Sequence, residues 1–186
     1  MKKLIAASVL FVTLPLFAAA PAAAPAPTTP VGDWITYKND DGKTKESIVH
    51  IYQDKDEQGN LVYNGSIGDS LMKEDPNAPV NCVNCPAPFT DKKIKGLQFL
   101  WGFVPDTNQA NKFINGHVLD PLTGNLYSAN MTLSEDGNTL VFRGYMGISL
   151  FGSNRTWTRS EEPVKATPAK TKSTTSSKNA ATMKAQ

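Results

Sequence analysis

The sequence predicts an all-β protein, an eight-stranded antiparallel up-and-down barrel flanked by disordered N- and C-terminal segments. Three observations lead there. Strand-forming runs over residues 115–159 are parted by Asp120-Pro121-Leu122-Thr123-Gly124-Asn125, by Glu135-Asp136-Gly137-Asn138 and by Gly147 and Gly152, residue types that supply the φ values tight reversals need. These runs sort into one apolar and one polar face, as antiparallel sheets with one solvated side do. Counted with the strands upstream they make eight, about the number that closes a small barrel whose interior is filled or holds one small ligand.

Pairing the runs defines the faces. With Val118 opposite Tyr127, the register sets Gly116 opposite Ala129 and Ile114 opposite Met131; Leu133 opposite Leu140 carries the same face onward. The predicted inner face is then Ile114, Val118, Tyr127, Met131, Leu133, Leu140, Phe142, Gly144 and Met146, since side chains alternate with period two. The outer face collects Asn115, His117, Ser128, Asn130, Arg143 and Tyr145.

The chain begins outside this domain. Met1-Lys2-Lys3 is a basic start, residues 4–17 are apolar, and Ala18-Ala19-Ala20 or Ala20-Pro21-Ala22 fits a small-residue cleavage site, so residues 1–22 are expected to be a secretory signal peptide. The apolar run of 14 residues falls short of the ~20 a spanning helix needs. The mature protein is therefore expected to lack a transmembrane segment and to be periplasmic or secreted. No cysteine follows the apolar run to take a lipid anchor. Residues 23–30 read as an extended Ala/Pro linker, 31–160 as the barrel, and 161–186 as a disordered tail rich in Lys, Ser, Thr and Ala.

Within the domain, residues 33–38 begin the first strand and Asn39-Asp40-Asp41-Gly42 turns it. Residues 47–52 form the second, followed by a charged reversal over 54–60, and residues 61–70 form the third, with Gly65 and Gly68 marking a bend or bulge. Residues 72–93 have no periodicity, hold both cysteines, and make the longest irregular connection; such loops are usually functional or stapled. Residues 94–103 show the strongest alternation, placing Leu97, Phe99, Trp101 and Phe103 on one predicted face. The remaining strands start at Lys112.

Charge separates the parts. Residues 31–160 carry 12 Lys/Arg against 15 Asp/Glu, a net of −3, whereas 161–186 carry 5 Lys against 2 Glu, a net of +3. An acidic body without Arg/Lys clusters speaks against nucleic-acid binding on the domain. The tail is expected to be solvated, with anionic envelope polymers as its possible contact.

Cys82-Val83-Asn84-Cys85 is the sharpest local motif. In an exported protein it meets an oxidising environment, and a disulfide within the loop is the expected state. Redox catalysis is its rival, but Pro86-Ala87-Pro88 disfavours the helix that would activate a thiol. Haem attachment needs a histidine where Pro86 stands, and zinc needs two more ligands, with His50 and His117 the available histidines. No metal and no cofactor is assigned. His117, Arg143 and Tyr145 form a polar patch that reads either as an acid/base pocket or, more simply, as an outward polar stripe. Gly147-Ile148-Ser149-Leu150-Phe151-Gly152 misses the G-x-S-x-G elbow by one residue, and no Walker loop, G-x-G-x-x-G or H-E-x-x-H occurs. No catalytic residue is assigned, and the chain is read as a non-enzyme.

Gly32-Asp33-Trp34 in the first strand and Trp157-Thr158-Arg159 in the last resemble the lipocalin and calycin pattern. More specifically, Val31-Gly32-Asp33-Trp34, Cys82-x-x-Cys85, Gly116-x-Val118-Leu119-Asp120-Pro121, Gly124-x-x-Tyr127-Ser128, Arg143-Gly144-Tyr145, and Leu150-Phe151-Gly152 with Thr156-Trp157-x-Arg159 resemble the bacterial envelope family called domain of unknown function 2147. The resemblance covers residues 30–160. It implies a lipocalin-like barrel in an exported protein and carries no established chemistry. It further implies that Trp34 and Arg159 form a barrel-closing pair, the guanidinium lying across the indole at one end. The usual helix after the barrel is replaced here by Glu161-Glu162-Pro163 and the tail.

Two functional classes follow. Trp34, Phe99, Trp101, Tyr127, Met131, Phe142 and Met146 are candidates to line a cavity for a small, largely apolar ligand, which makes the protein an exported binding protein. Alternatively those side chains fill the barrel, and the protein is a structural or interaction protein of the bacterial envelope.

Overall fold

The computed structural model describes residues 28–148, 150 and 152–161. The signal peptide, most of the linker, and the tail beyond Glu161 lie outside these residues.

Eight strands follow in order: β1 (Gly32–Tyr37), β2 (Lys45–Lys55), β3 (Leu61–Ser70), β4 (Gln98–Pro105), β5 (Lys112–Leu119), β6 (Leu126–Leu133), β7 (Thr139–Tyr145) and β8 (Ser153–Arg159). Each pairs antiparallel with the next, and β8 returns to β1, so the sheet closes into a barrel. Up-and-down connectivity puts both termini and the β2–β3, β4–β5 and β6–β7 turns at one end. The other four connections form the opposite end, called the rim below.

The turns form where polar side chains replace the missing ladder bonds. The Asp41 carboxylate accepts from the amides of Lys43 and Thr44, Asp56 from those of Gln58 and Asn60, and Asp120 from that of Leu122, as short acidic side chains do in tight reversals.

The barrel interior is filled. Trp34, Val49, Ile51, Tyr63, Leu100, Phe103, Phe113, Ala129, Met131, Leu133, Leu140, Phe142 and Trp157 form one buried cluster. Phe142 stacks on Trp157 at 5.2 Å between centroids, Phe103 tilts onto Phe142 at 5.9 Å, and Tyr63 meets Phe113 edge-on at 5.1 Å.

The terminal end is sealed by β1 and β8. Trp34 and Arg159 are register partners, and the guanidinium carbon lies 4.3 Å from the indole centroid. The Arg159 Nε donates to Gly137 O at 2.7 Å and its two terminal nitrogens to Val31 O and Thr29 O at 2.8 and 3.1 Å, while Trp34 Nε1 donates to Pro30 O at 2.8 Å. Gly32 has φ +134°, and a Cβ there would stand 2.6 Å from an Arg159 terminal nitrogen. The glycine of the Gly-x-Trp triplet thus makes room for the arginine.

The predicted registers of Val118 with Tyr127, Gly116 with Ala129 and Leu133 with Leu140 are observed. That of Ile114 with Met131 is not. Met131 pairs with Phe113, because β5 carries a bulge between Phe113 and Gly116 in which Asn115 has φ +62°, and one extra residue moves Phe113 to the inner face. In β4, Gly102 at φ +75° breaks the predicted face in the same way. Leu100 and Phe103 point into the core, whereas Leu97 and Trp101 belong to a second cluster outside it.

Candidate functional site

The second cluster is built by the β3–β4 connection. Cys82 and Cys85 are bonded to each other, and with Leu97 and Leu119 they form a small buried nucleus on which Phe89, Phe99 and Trp101 pack. The connection doubles back on itself through an Asn81–Lys93 bridge and the bond from Cys82 N to Lys92 O at 2.8 Å, and the Val83 amide donates to Pro121 O at 2.8 Å. Leu119 neighbours the inward Val118, so it faces out, and this lobe rests on the outer wall. It leaves the barrel interior alone.

Between the lobe and the β2–β3 hairpin lies an open groove of about 1050 Å³. Val62, Asn64, Leu97, Trp101 and Gly102 line it from the wall, and Pro88, Phe89, Lys92 and Lys93 line it from the lobe; Lys55, Asp56 and Glu57 close the hairpin side and Lys95 one end. Trp101 is held between two rings, Phe89 at 5.4 Å and His117 at 5.7 Å. Asn64 is buried and paired: its Oδ1 accepts from the Gly102 amide at 3.0 Å and its Nδ2 donates to Asp54 at 3.3 Å. Trp101 is thus seated between two rings on the wall, and the buried polar group behind it is paired.

Its edge is cationic. Four lysines face two acids in a body of net negative charge. The Asp56 carboxylate already accepts from the side chain and backbone of Asn60 and from the backbone of Gln58, which holds it below its ordinary value. Lys95 bonds Asp69, and this contact lowers the Asp69 carboxyl. Lys92 Nζ lies 5.8 Å from the Phe89 centroid. The arrangement offers a flat apolar surface with positive charge beside it.

The sequence profile of a family described as uncharacterized proteins conserved in bacteria, DUF2147, matches residues 32–159, from the first residue of β1 to the last of β8. The chain belongs to this family. Among curated proteins no relative matches it. Among solved structures, the chain is similar to HP1028 of Helicobacter pylori, described as belonging to the lipocalin family, with 17% sequence identity, a TM-score of 0.56, and coverage of 72% of this chain and 84% of that one. At that identity the likeness concerns the fold: this DUF2147 protein has a lipocalin-like barrel.

The seven side chains expected to line one cavity do not share one in the DUF2147 barrel. Trp34, Met131 and Phe142 are buried in the packed interior. Trp101 lies across the wall in the groove, because the Gly102 bulge separates it from Phe103. Phe99 packs against both clusters, and Tyr127 is half-buried beside Val118 near the rim. Met146 lies past the end of β7 and is 63% exposed, since the chain turns away at Gly147.

His117, Arg143 and Tyr145 share the outer wall but are drawn to different partners. His117 and Tyr145 both flank Ser128, His117 stacks on Trp101, and Arg143 donates to Asn154 at 2.8 Å. The sequence reading missed Val62, Asn64, Phe89 and the lysines of the groove. One signal was present: an aromatic residue inside the stapled loop, followed by Lys92-Lys93.

Proposed function

We propose that this protein is an exported, non-catalytic binding protein whose small, largely apolar ligand carries a negative charge and lies in the outer-wall groove rather than inside the barrel. The observation that carries the reading is the distribution of space. The barrel centre is occupied by the Phe103, Phe142 and Trp157 rings, and the roomy concavity lies outside, against Trp101 and Phe89. Pockets for small molecules are mostly apolar with a few placed polar groups, and the lysines supply a site for an anionic head. The amino-terminal sequence and the Cys82–Cys85 bond support a periplasmic or secreted location.

The test uses Trp101 as reporter. Trp34 and Trp157 are buried, whereas Trp101 is partly exposed. Titration with oleate or anilinonaphthalene sulfonate should quench a component of emission that Trp101→Phe removes, and Lys92→Glu with Lys93→Glu should weaken binding. Equal binding in all variants, with the Trp157 signal responding instead, would place the ligand in the barrel and end this reading.

A further inference from the structure

We infer that the rim of the barrel docks on a phospholipid surface. Exposed large apolar side chains are concentrated there: Leu71 and Met72 in the β3–β4 connection, Leu122 in the β5–β6 turn, and Met146, Ile148 and Leu150 in the β7–β8 loop. The last three are 63%, 57% and 82% exposed. Among the described residues, the terminal end offers only Val31 and Leu61, at 38% and 37%. The three connections are successive around the closed barrel, so their side chains form one crescent, the kind of surface that soluble proteins keep for a partner.

Charge decides what the partner is. The turns at the terminal end, residues 56–60, 106–111 and 134–138, carry Asp56, Glu57, Asp106, Glu135 and Asp136 and no lysine or arginine. On the crescent, residues 146–152 carry no charge, the carboxylate of Asp120 is bonded to Leu122 N and Thr123 Oγ1 within its own turn, and Leu71 and Met72 are followed by Lys73 beside Glu74 and Asp75. A zwitterionic phospholipid surface admits the uncharged apolar loop of residues 146–152, whereas the acids of the opposite turns are better left in water, which fixes a single orientation. Leucine-sized side chains then enter the interface as those of peripheral proteins do. The groove lies on the side wall, so the two proposals fail separately.

The experiment floats a chain starting at residue 23, since residues 1–22 read as a cleaved signal peptide whose apolar run would itself seek lipid, with phosphatidylcholine vesicles at ~0.5 M salt. Salt screens any contribution of the lysine-rich tail. The wild type should float. Ile148→Asp with Leu150→Asp should lower partitioning about tenfold per residue, the factor expected when one such side chain stays in water, and Leu122→Asp should do the same from the neighbouring turn. Unchanged circular dichroism and an unchanged urea midpoint verify folding. Equal flotation of wild type and variants overturns the inference. So does a wild type that ignores vesicles but dimerises, with the variants monomeric, because a second copy would then cover the crescent.

Discussion

The ring of Phe103 fills the place where a side chain at position 116 would stand. A Cβ on Gly116 would lie 2.2 to 2.3 Å from three atoms of that ring, well inside van der Waals contact. β4 and β5 pair directly, with Leu100 opposite Val118 and Val104 opposite Ile114, so neither backbone can retreat without breaking its ladder. Gly116→Ala should destabilise the barrel by about 1–3 kcal/mol, the usual cost of overpacking. Phe103→Leu should recover part of that loss in the double variant while being destabilising alone. Urea unfolding of the four proteins measures the coupling; additive losses would mean that the ring is not what excludes a side chain at 116.

Arg159→Lys should cost about 1–3 kcal/mol, since the lysine loses both the stack on Trp34 and the fan of bonds to Gly137, Val31 and Thr29. Burial also lowers the pKa of Arg159, yet it stays cationic throughout the working range. The penalty should shrink in a Trp34→Phe background, where stacking is already weaker. Equal penalties in both backgrounds would show that the carbonyl bonds carry the whole effect.

These two sites show what the chain makes legible. Leu133 opposite Leu140 can be read directly because Glu135-Asp136-Gly137-Asn138 fixes a tight turn and both strands alternate without interruption. Phe113 could not be placed by counting, since period two fails wherever a residue is inserted, and the warning was only the Asn115-Gly116 pair inside a strand pattern. Gly102 gave the same warning in β4. The groove was illegible for a different reason. Val62, Trp101 and Phe89 come from two strands and a lobe, and the lobe's position depends on Val83 meeting Pro121, a contact with no local signature.

Acid should destabilise the protein through four exposed carboxylates, three in its turns and Asp69 near the end of β3. Asp41, Asp56, Asp69 and Asp136 are all held below the ordinary value of 3.8 in the folded chain. Backbone amides at Lys43 and Thr44, the Asn60 side chain, Lys95 and the Ser134 hydroxyl are the leading causes, respectively. The folded state therefore binds fewer protons than the unfolded one in this range. The stabilisation is complete above about pH 5 and is lost as pH falls past 3.8 through the folded values. Urea midpoints should be level in this respect above pH 5 and drop below pH 4, and Asp56→Asn with Asp136→Asn should flatten that drop. A variant with an unchanged acid limb would exclude these turns as its source.

The lobe should come loose while the barrel stays closed. Its attachment consists of the small nucleus that the Cys82–Cys85 bond holds together with Leu97 and Leu119, and a few backbone bonds. None of its residues belongs to the main core cluster. Closing so short a loop contributes about 2 kcal/mol by chain entropy, enough to decide whether Phe89 remains against Trp101 and too little to hold eight strands. Cys82→Ser with Cys85→Ser should raise amide exchange over residues 80–94, shift Trp101 emission to the red, and weaken anilinonaphthalene sulfonate binding. The global unfolding midpoint should move by only a few degrees, because local opening and global unfolding draw on different contacts. If exchange rises equally in β6 and β7, the lobe is continuous with the barrel's own stability, and the groove lacks a separable wall.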